Sequence, residues 1–140
     1  MATFNKYQCF VENVAEKVHN LGSDTLKVAL TNTAPAATDT VWNTTVYPAP
    51  AAANGYTAGG NTPSITSSAQ TSGTYKLVLG DTVFTATSGG IGPFRYVVLY
   101  NSTASGAVIG YYDYGSSITL ADTETFTIDF DAANGVLTIA

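Results

Sequence analysis

Asp129 and Asp131 stand two apart in ETFTIDFD, so a strand there projects both carboxylates to one side, with Asp122 close by in sequence. Hard oxygen ligands on such a platform are the chemistry of a Ca²⁺ site. The EF-hand pattern is absent, however, and in–out alternation at a strand end produces the same spacing without an ion, so no metal is assigned. His19 is the single histidine and Cys9 the single cysteine. With no second imidazole, and with Cys9 near the other end of the same predicted helix, zinc ligation has no donor set. His19, beside Asn20 in the last helical turn, is expected to bond the free carbonyls there and, when charged, to favour the helix dipole. No serine can be given a histidine and an aspartate, so acyl-transfer chemistry has no catalytic residue. Ser88-Gly89-Gly90-Ile91-Gly92 has the glycines of a phosphate loop but no lysine and no helical pattern after it, and reads as a turn between strands. These residues predict a protein that is not an enzyme and carries no cofactor.

Aromatic residues are more informative. In Gly110-Tyr111-Tyr112-Asp113-Tyr114-Gly115 a strand must place rings on both faces of its sheet, so at least one ring faces solvent or an interface. Core packing, a subunit interface and a glycan platform all fit that composition. Trp42, Tyr47 and Tyr56 fall in a long irregular stretch, Asn32 to Asn61, in which Pro35, Pro48, Pro50, Gly55, Gly59 and Gly60 interrupt any regular element. Segments of this length are functional arms or binding loops, or else linkers, and the aromatics argue against a free linker. Either the arm folds back on its own core or it inserts between neighbouring subunits. Trp42, Tyr47, Tyr56, Tyr111, Tyr112 and Tyr114 are therefore the candidate interface residues.

The elements that must position them follow from periodicity. Ile91 to Tyr114 holds the longest apolar and aromatic run. Period two places Phe94, Tyr96, Val98 and Tyr100 on one face and Arg95, Val97 and Leu99 on the other, the pattern of a central strand covered on both sides. Val108 to Tyr114 is expected to return antiparallel to it after the polar loop Asn101 to Gly106. Tyr7, Phe10, Val11, Val14, Val18 and Leu21 recur at helical spacing and predict a helix over Asn5 to Leu21. Asn5 would cap it with Gln8 three residues on, Phe4 and Cys9 would form a hydrophobic staple, and Gly22 would stand at the left-handed position past its end. Glu12, Asn13, Glu16 and Lys17 form its solvated face. Thr25 to Thr31 alternates as a strand with one buried face of Leu26, Val28 and Leu30. Asn61 to Gln70 reads as an edge strand with Pro63 at its start. Thr74 to Ala86 fits two strands or one bent strand about Gly80-Asp81. Glu124 to Asp131 and Val136 to Ile139 read as a terminal hairpin. The sum is mainly β: one antiparallel β-sandwich domain over residues 1–140, of about seven or eight strands, with one N-terminal helix packed on it.

A chain of 140 residues is the size of one domain with one core. Charged residues make up 11%, well under the usual share of about 25%, and hydroxyls and amides carry the polarity instead. Such a surface suits contact with other protein. A net charge of −5 offers no basic patch for phosphates, so no nucleic-acid partner is expected. No apolar run is long enough to span a membrane and MATFNKYQCF lacks a secretory h-region, so a soluble protein made in the cytoplasm is expected. The lone cysteine rules out an intrachain disulfide.

Four stretches, HNLGSDTLKVALTN, NGYTAGGNT, SSAQTSGTYKLVLGDTVFTATSGGIGPFRYVVLYN and YDYGSSITLADTETFTIDFDAANGVLTIA, together resemble a family of small proteins encoded by tailed bacteriophages and prophages. The likeness covers nearly the whole chain and is weakest from Ala36 to Ala53. It implies a virion structural component, a capsid decoration or cement protein on the outer shell of the head, with the major capsid protein and copies of itself as partners. No catalytic motif comes with it. The rival expectation is a tail-associated protein that binds host glycan through Trp42, Tyr111, Tyr112 and Tyr114.

Overall fold

Two strands dominate the architecture, as the long aromatic run requires. In the computed structural model, which describes residues 2–140, β6 (Ile91–Asn101) and β7 (Ala107–Leu120) pair antiparallel as the two inner strands of a four-stranded sheet. That sheet has the order β1-β7-β6-β2, with β1 spanning Phe4–Lys6 and β2 Leu26–Thr31. A second sheet runs β3 (Ile65–Thr71), β4 (Thr74–Leu79), β9 (Leu137–Ile139), and a third pairs β5 (Thr82–Thr85) with β8 (Thr125–Ile128). The described residues thus contain nine strands in antiparallel sheets and one short helix, a mainly β fold. The main core joins Leu26, Val28, Leu30, Val97, Leu99 and Ile109 of the four-stranded sheet to Leu77, Leu79, Phe84, Ile128 and Leu137 of the other two, which is sandwich packing.

The helix is shorter than the periodicity predicts. Asn5 lies in β1, opposite Tyr111, and only Cys9–Ala15 is helical, as α1. A reason is visible at Gly110, where a Cβ would fall 2.1 Å from the Phe4 ring: the glycine lets Phe4 lie across β7 and draws the N-terminus into the sheet. The helix ends in a Schellman pattern, with Lys17 N bonded to Val14 O and Val18 N to Asn13 O. Lys17 takes the left-handed position, φ 66°, that the sequence assigned to Gly22. Phe10 is buried, whereas Val11 and Val18 are exposed.

Three further expectations are corrected. The strand at Leu26–Thr31 is covered on both faces, since Ala29 and Thr31 are as buried as Leu30. Register shifts between Phe94 and Tyr96 move Phe94 to the face of Val97 and Leu99, in the main core, rather than to that of Tyr96 and Val98. The two final strands do not form a hairpin with each other: β8 pairs with β5 and β9 with β4, so the chain end ties the second and third sheets to earlier strands. Thr74 to Ala86 resolves into two strands in different sheets, and Ser88 to Gly92 is the connection into β6.

Candidate functional site

Residues 32–61 fold back on the domain and build a second, smaller core on the outer face of the four-stranded sheet. Tyr7, Tyr47, Ala29, Val98, Tyr100 and Val108 are its buried members, with Cys9, Trp42 and Tyr111 packed at its margin. Backbone bonds fasten the arm along its length: Gln8 N to Ala37 O at 2.9 Å, Trp42 N to Gly106 O at 2.8 Å, Thr87 N to Asn54 O at 2.9 Å, and a reciprocal pair between Val28 and Asn61. Tyr47 is 1% exposed, and its hydroxyl donates to Asp39 Oδ2. Tyr7 donates in turn to Tyr47 across 3.1 Å, since the Tyr47 proton is already engaged. Burial pushes both phenols well above their ordinary range, and for Tyr7 the bond to Tyr47 adds to the shift. Tyr56 enters the main core beside Phe84, and its hydroxyl accepts the Leu30 N–H at 3.1 Å.

The six candidate interface residues therefore divide. Tyr47 and Tyr56 are enclosed by their own chain and present no surface to a partner, a correction to that expectation. Their hydroxyl partners, Asp39 and the Leu30 amide, come from the same domain, which is what anchors them inward. Tyr112 is half-buried against the rings of Phe4 and Phe130, and Tyr114 against Phe126. Trp42 stacks on Tyr100 with ring centroids 4.4 Å apart, and Tyr111 tilts on Tyr7 at 5.1 Å; both remain partly open at the outer face. Next to them Arg95 clamps Asp113 through two bonds of 2.7 and 2.9 Å, and its guanidinium lies 5.2 Å from the centre of the Tyr96 ring. The Arg95 bond is the main reason that the Asp113 carboxyl is held below its ordinary range. Trp42, Tyr111, Arg95 and Asp113 thus share the exposed part of one sheet face. Arg95 was not singled out by the sequence; the cross-strand pairing of β6 with β7 is what brings it to Asp113.

The residues weighed for chemistry have structural partners. His19 lies beyond the helix, not in its last turn, because α1 stops at Ala15. Its ring is buried against Phe10, and Nδ1 stands 3.1 Å from Asn101 Nδ2. Since Asn101 Oδ1 accepts the Ala104 N–H, its Nδ2 is the donor and His19 Nδ1 the acceptor. Burial lowers the imidazole pKa, although Asp24 opposes that shift. Burial also raises the Cys9 thiol, whose sulfur donates to the backbone carbonyls of Asp39 and Val108. Asp131 accepts from Ala133 N, Asn134 N and Asn134 Nδ2, closing the turn before β9, while Asp122 accepts from Gly89 N. Asp129 is exposed at the end of β8. No group of three or more His, Cys, Asp or Glu among the described residues is placed to hold a metal ion. Two grooves of about 510 and 440 Å³ flank α1, sharing Val14 and Ile139. The sequence reading missed them because it placed Val18 on the packed face of a longer helix. No described helix is long and apolar enough to cross a membrane.

Fold and surface define a low-charge antiparallel sandwich with an aromatic outer sheet. No protein-family model, curated protein or solved structure matches the chain.

Proposed function

We propose that the protein is a non-enzymatic structural component of a phage virion, a capsid decoration or cement protein that contacts capsid subunits and copies of itself. The observation that carries this reading is where the carboxylates go. Seven of the ten acidic side chains (Asp24, Asp39, Asp81, Asp113, Asp122, Glu124 and Asp131) accept hydrogen bonds from this chain's own groups. They close turns and brace loops rather than converge on a cleft, which suits a rigid building block. The resemblance of the four sequence stretches supplies the virion context. A surface of hydroxyls and amides with so few charges favours contact by close packing over electrostatic clamping.

The glycan reading requires aromatic rings flat and open to water. Tyr112 and Tyr114 pack on the main core, so Trp42 and Tyr111, which rest on rings of their own chain at the outer face, are the two that remain to it. Mass spectrometry and electron microscopy of purified particles from the encoding phage test the proposal. Lattice-like copy number on the shell is expected; location on the tail tip, or absence from virions, would overturn it.

A further inference from the structure

Among the described residues the fold guards most of its sheet edges: β7 beyond Tyr112 is open on the β1 side but is broken by a register shift and by Gly115 at φ 85°, so β3 is the regular edge that stands bare, and it points to a self-association surface. An edge strand offers unpaired N–H and C=O groups to any passing chain, and proteins blunt such edges by shortness, charge, proline or cover. Here β1 and β9 have three residues each, and β5 and β8 four. The six-residue β2 is covered: Val28 exchanges both backbone bonds with Asn61, and Tyr56 takes the Leu30 N–H. By contrast β3 spans seven residues, and apart from β4 no described element bonds its backbone. A bulge between Ile65 and Ser67 interrupts only one end, leaving Ser67–Thr71 as a continuous edge. No residue from Thr40 to Tyr75 carries a formal charge.

Which groups face outward follows from the turn. Ser72 and Gly73 both have positive φ, 50° and 84°, so β3 and β4 are joined by a two-residue turn flanked by Thr71 and Thr74. In such a hairpin the flanking residues form a bonded pair and bonded pairs alternate along the ladder, so Thr71, Ala69 and Ser67 bond inward. The N–H and C=O of Ser68 and Gln70 then point away from the sheet.

We propose that a second copy of this chain pairs antiparallel along β3. With Ala69 opposite Ala69 of the other copy, each Ser68 meets the other copy's Gln70, and about four N–H···O bonds close symmetrically. The occupant is a second copy on grounds of charge. Each chain carries a net −5, so copies meet most readily where the edge itself bears no charge: β3 lies in the longest uncharged stretch, and the nearest charge, Lys76 opposite Ala69 on β4, is a cation bonded to Ala133 O. Such a contact is small and weak on its own, and becomes strong only in a multivalent array. The inference deepens the assembly reading by naming the surface through which copies meet. It is tested on free protein, so failure of the virion location would leave it standing, and its own failure would leave that location standing.

The experiment is sedimentation velocity from about 10 to 500 µM, with amide hydrogen exchange at both ends of the range. The wild type should dimerise with rising concentration, and protection should rise at Ser68 and Gln70. Ala69→Lys puts a cation on an exposed position of this edge and should weaken dimerisation at least about tenfold. It does so although it lowers the net charge that keeps copies apart, so a general charge effect would act in the opposite direction. Gln70→Pro removes one outward donor and no inward ladder bond, although it also removes the Gly73 N–H bond to Gln70 Oε1 in the turn, and should have the same effect. If Gln70→Pro does not fold, Ala69→Lys decides. Monomer throughout, dimerisation unchanged in Ala69→Lys, or protection gained elsewhere instead would each overturn the proposal.

Discussion

The chain Tyr7–Tyr47–Asp39 gives a sharp test of how the arm is held, through Tyr47→Phe. The substitution keeps the ring and its packing but removes a hydroxyl that donates to Asp39 and accepts from Tyr7. Losing a bond to a charged acceptor costs about 1.5–3 kcal/mol in general, and orphaning a buried donor about 1–3. Asp39 is only half-buried and keeps the Ala36 N–H, so water can recover part of the first loss. Tyr7 is fully buried, and its hydroxyl has nowhere to turn. The expected net cost is about 2–4 kcal/mol. Tyr7→Phe, which leaves the Asp39 bond intact, should cost about 1 kcal/mol. The double variant removes both hydroxyls and orphans no buried donor, so its cost should fall short of the sum by at least about 1 kcal/mol. Urea unfolding followed by far-UV circular dichroism gives these values from shifts in midpoint at constant slope. Trp42 fluorescence, which reports the stack on Tyr100, shows whether the arm leaves the sheet earlier than the rest. Additivity within about 0.5 kcal/mol, or a cost for Tyr47→Phe below that figure, would refute the role given to this chain of bonds.

Alkaline pH should unfold the protein, because Tyr7, Tyr47, Tyr56 and Tyr100 are buried with raised phenol pKa values, that of Tyr100 pushed up to about 12. Above about pH 10 the unfolded chain binds fewer protons than the folded one, so stability is intact below that value and falls as pH rises. At about pH 11 each of Tyr7, Tyr47 and Tyr100 removes about 1.4 kcal/mol, together about 4, a large part of a typical domain's stability, and Tyr56 acts in the same direction. Tyrosinate absorbance rising near pH 10 while circular dichroism holds steady would contradict this. Phe10→Ala should cost about 3–5 kcal/mol by thermal or urea melting, and Val18→Asp, at an exposed position, less than about 0.5; a large effect at Val18 would restore the longer helix. Gly60→Ala should cost at least about 2 kcal/mol, because at φ +80° a Cβ would sit 1.8 Å from Val28 O. Gly73→Ala, with a similar φ and open space around it, should cost only about 1. Equal melting points for these two variants would remove the Val28–Asn61 bridge as the reason.

The sequence made legible the elements whose partners lie nearby. Both strands of the central hairpin carry their pattern, and the loop between them is short and polar, so β6 and β7 could be read and paired. Position-specific steric facts were not legible. Phe94 counts with Tyr96 and Val98 by period two, yet register shifts place it with Val97 and Leu99, and nothing in PFRYVV marks the irregularity. The helix was overrun at both ends for a similar reason. Asn5 has the composition of a cap, and only a distant glycine, Gly110, makes room for Phe4 on β7. Lys17 ends the helix in a conformation that sequence rules reserve for glycine or asparagine. The terminal hairpin failed because β8 and β9 each carry a valid strand pattern, and pattern alone does not choose a partner.

The candidate interface was half legible, and the physics of the misreading bears on function. Burial in one's own core and burial against a partner select the same side chains, large rings with a polar tip, so Tyr47 and Tyr56 could not be distinguished from Trp42 by type. What separates them is the destination of the tip. Tyr47 reaches Asp39, eight residues back, and Tyr56 reaches the Leu30 amide of an otherwise open edge, so both hydroxyls substitute for missing backbone or side-chain partners inside the fold. By closing the edge of β2 and covering much of the outer face, the arm removes those surfaces from contact with other molecules. On the outer face the arm leaves open the patch around Trp42, Tyr111 and the Arg95–Asp113 pair, and on the second sheet, away from the arm, the edge of β3 stands bare. If the protein is the capsid component proposed, two such unlike surfaces, one aromatic and one a row of backbone amides, let a single small domain meet a capsid subunit with one and a copy of itself with the other.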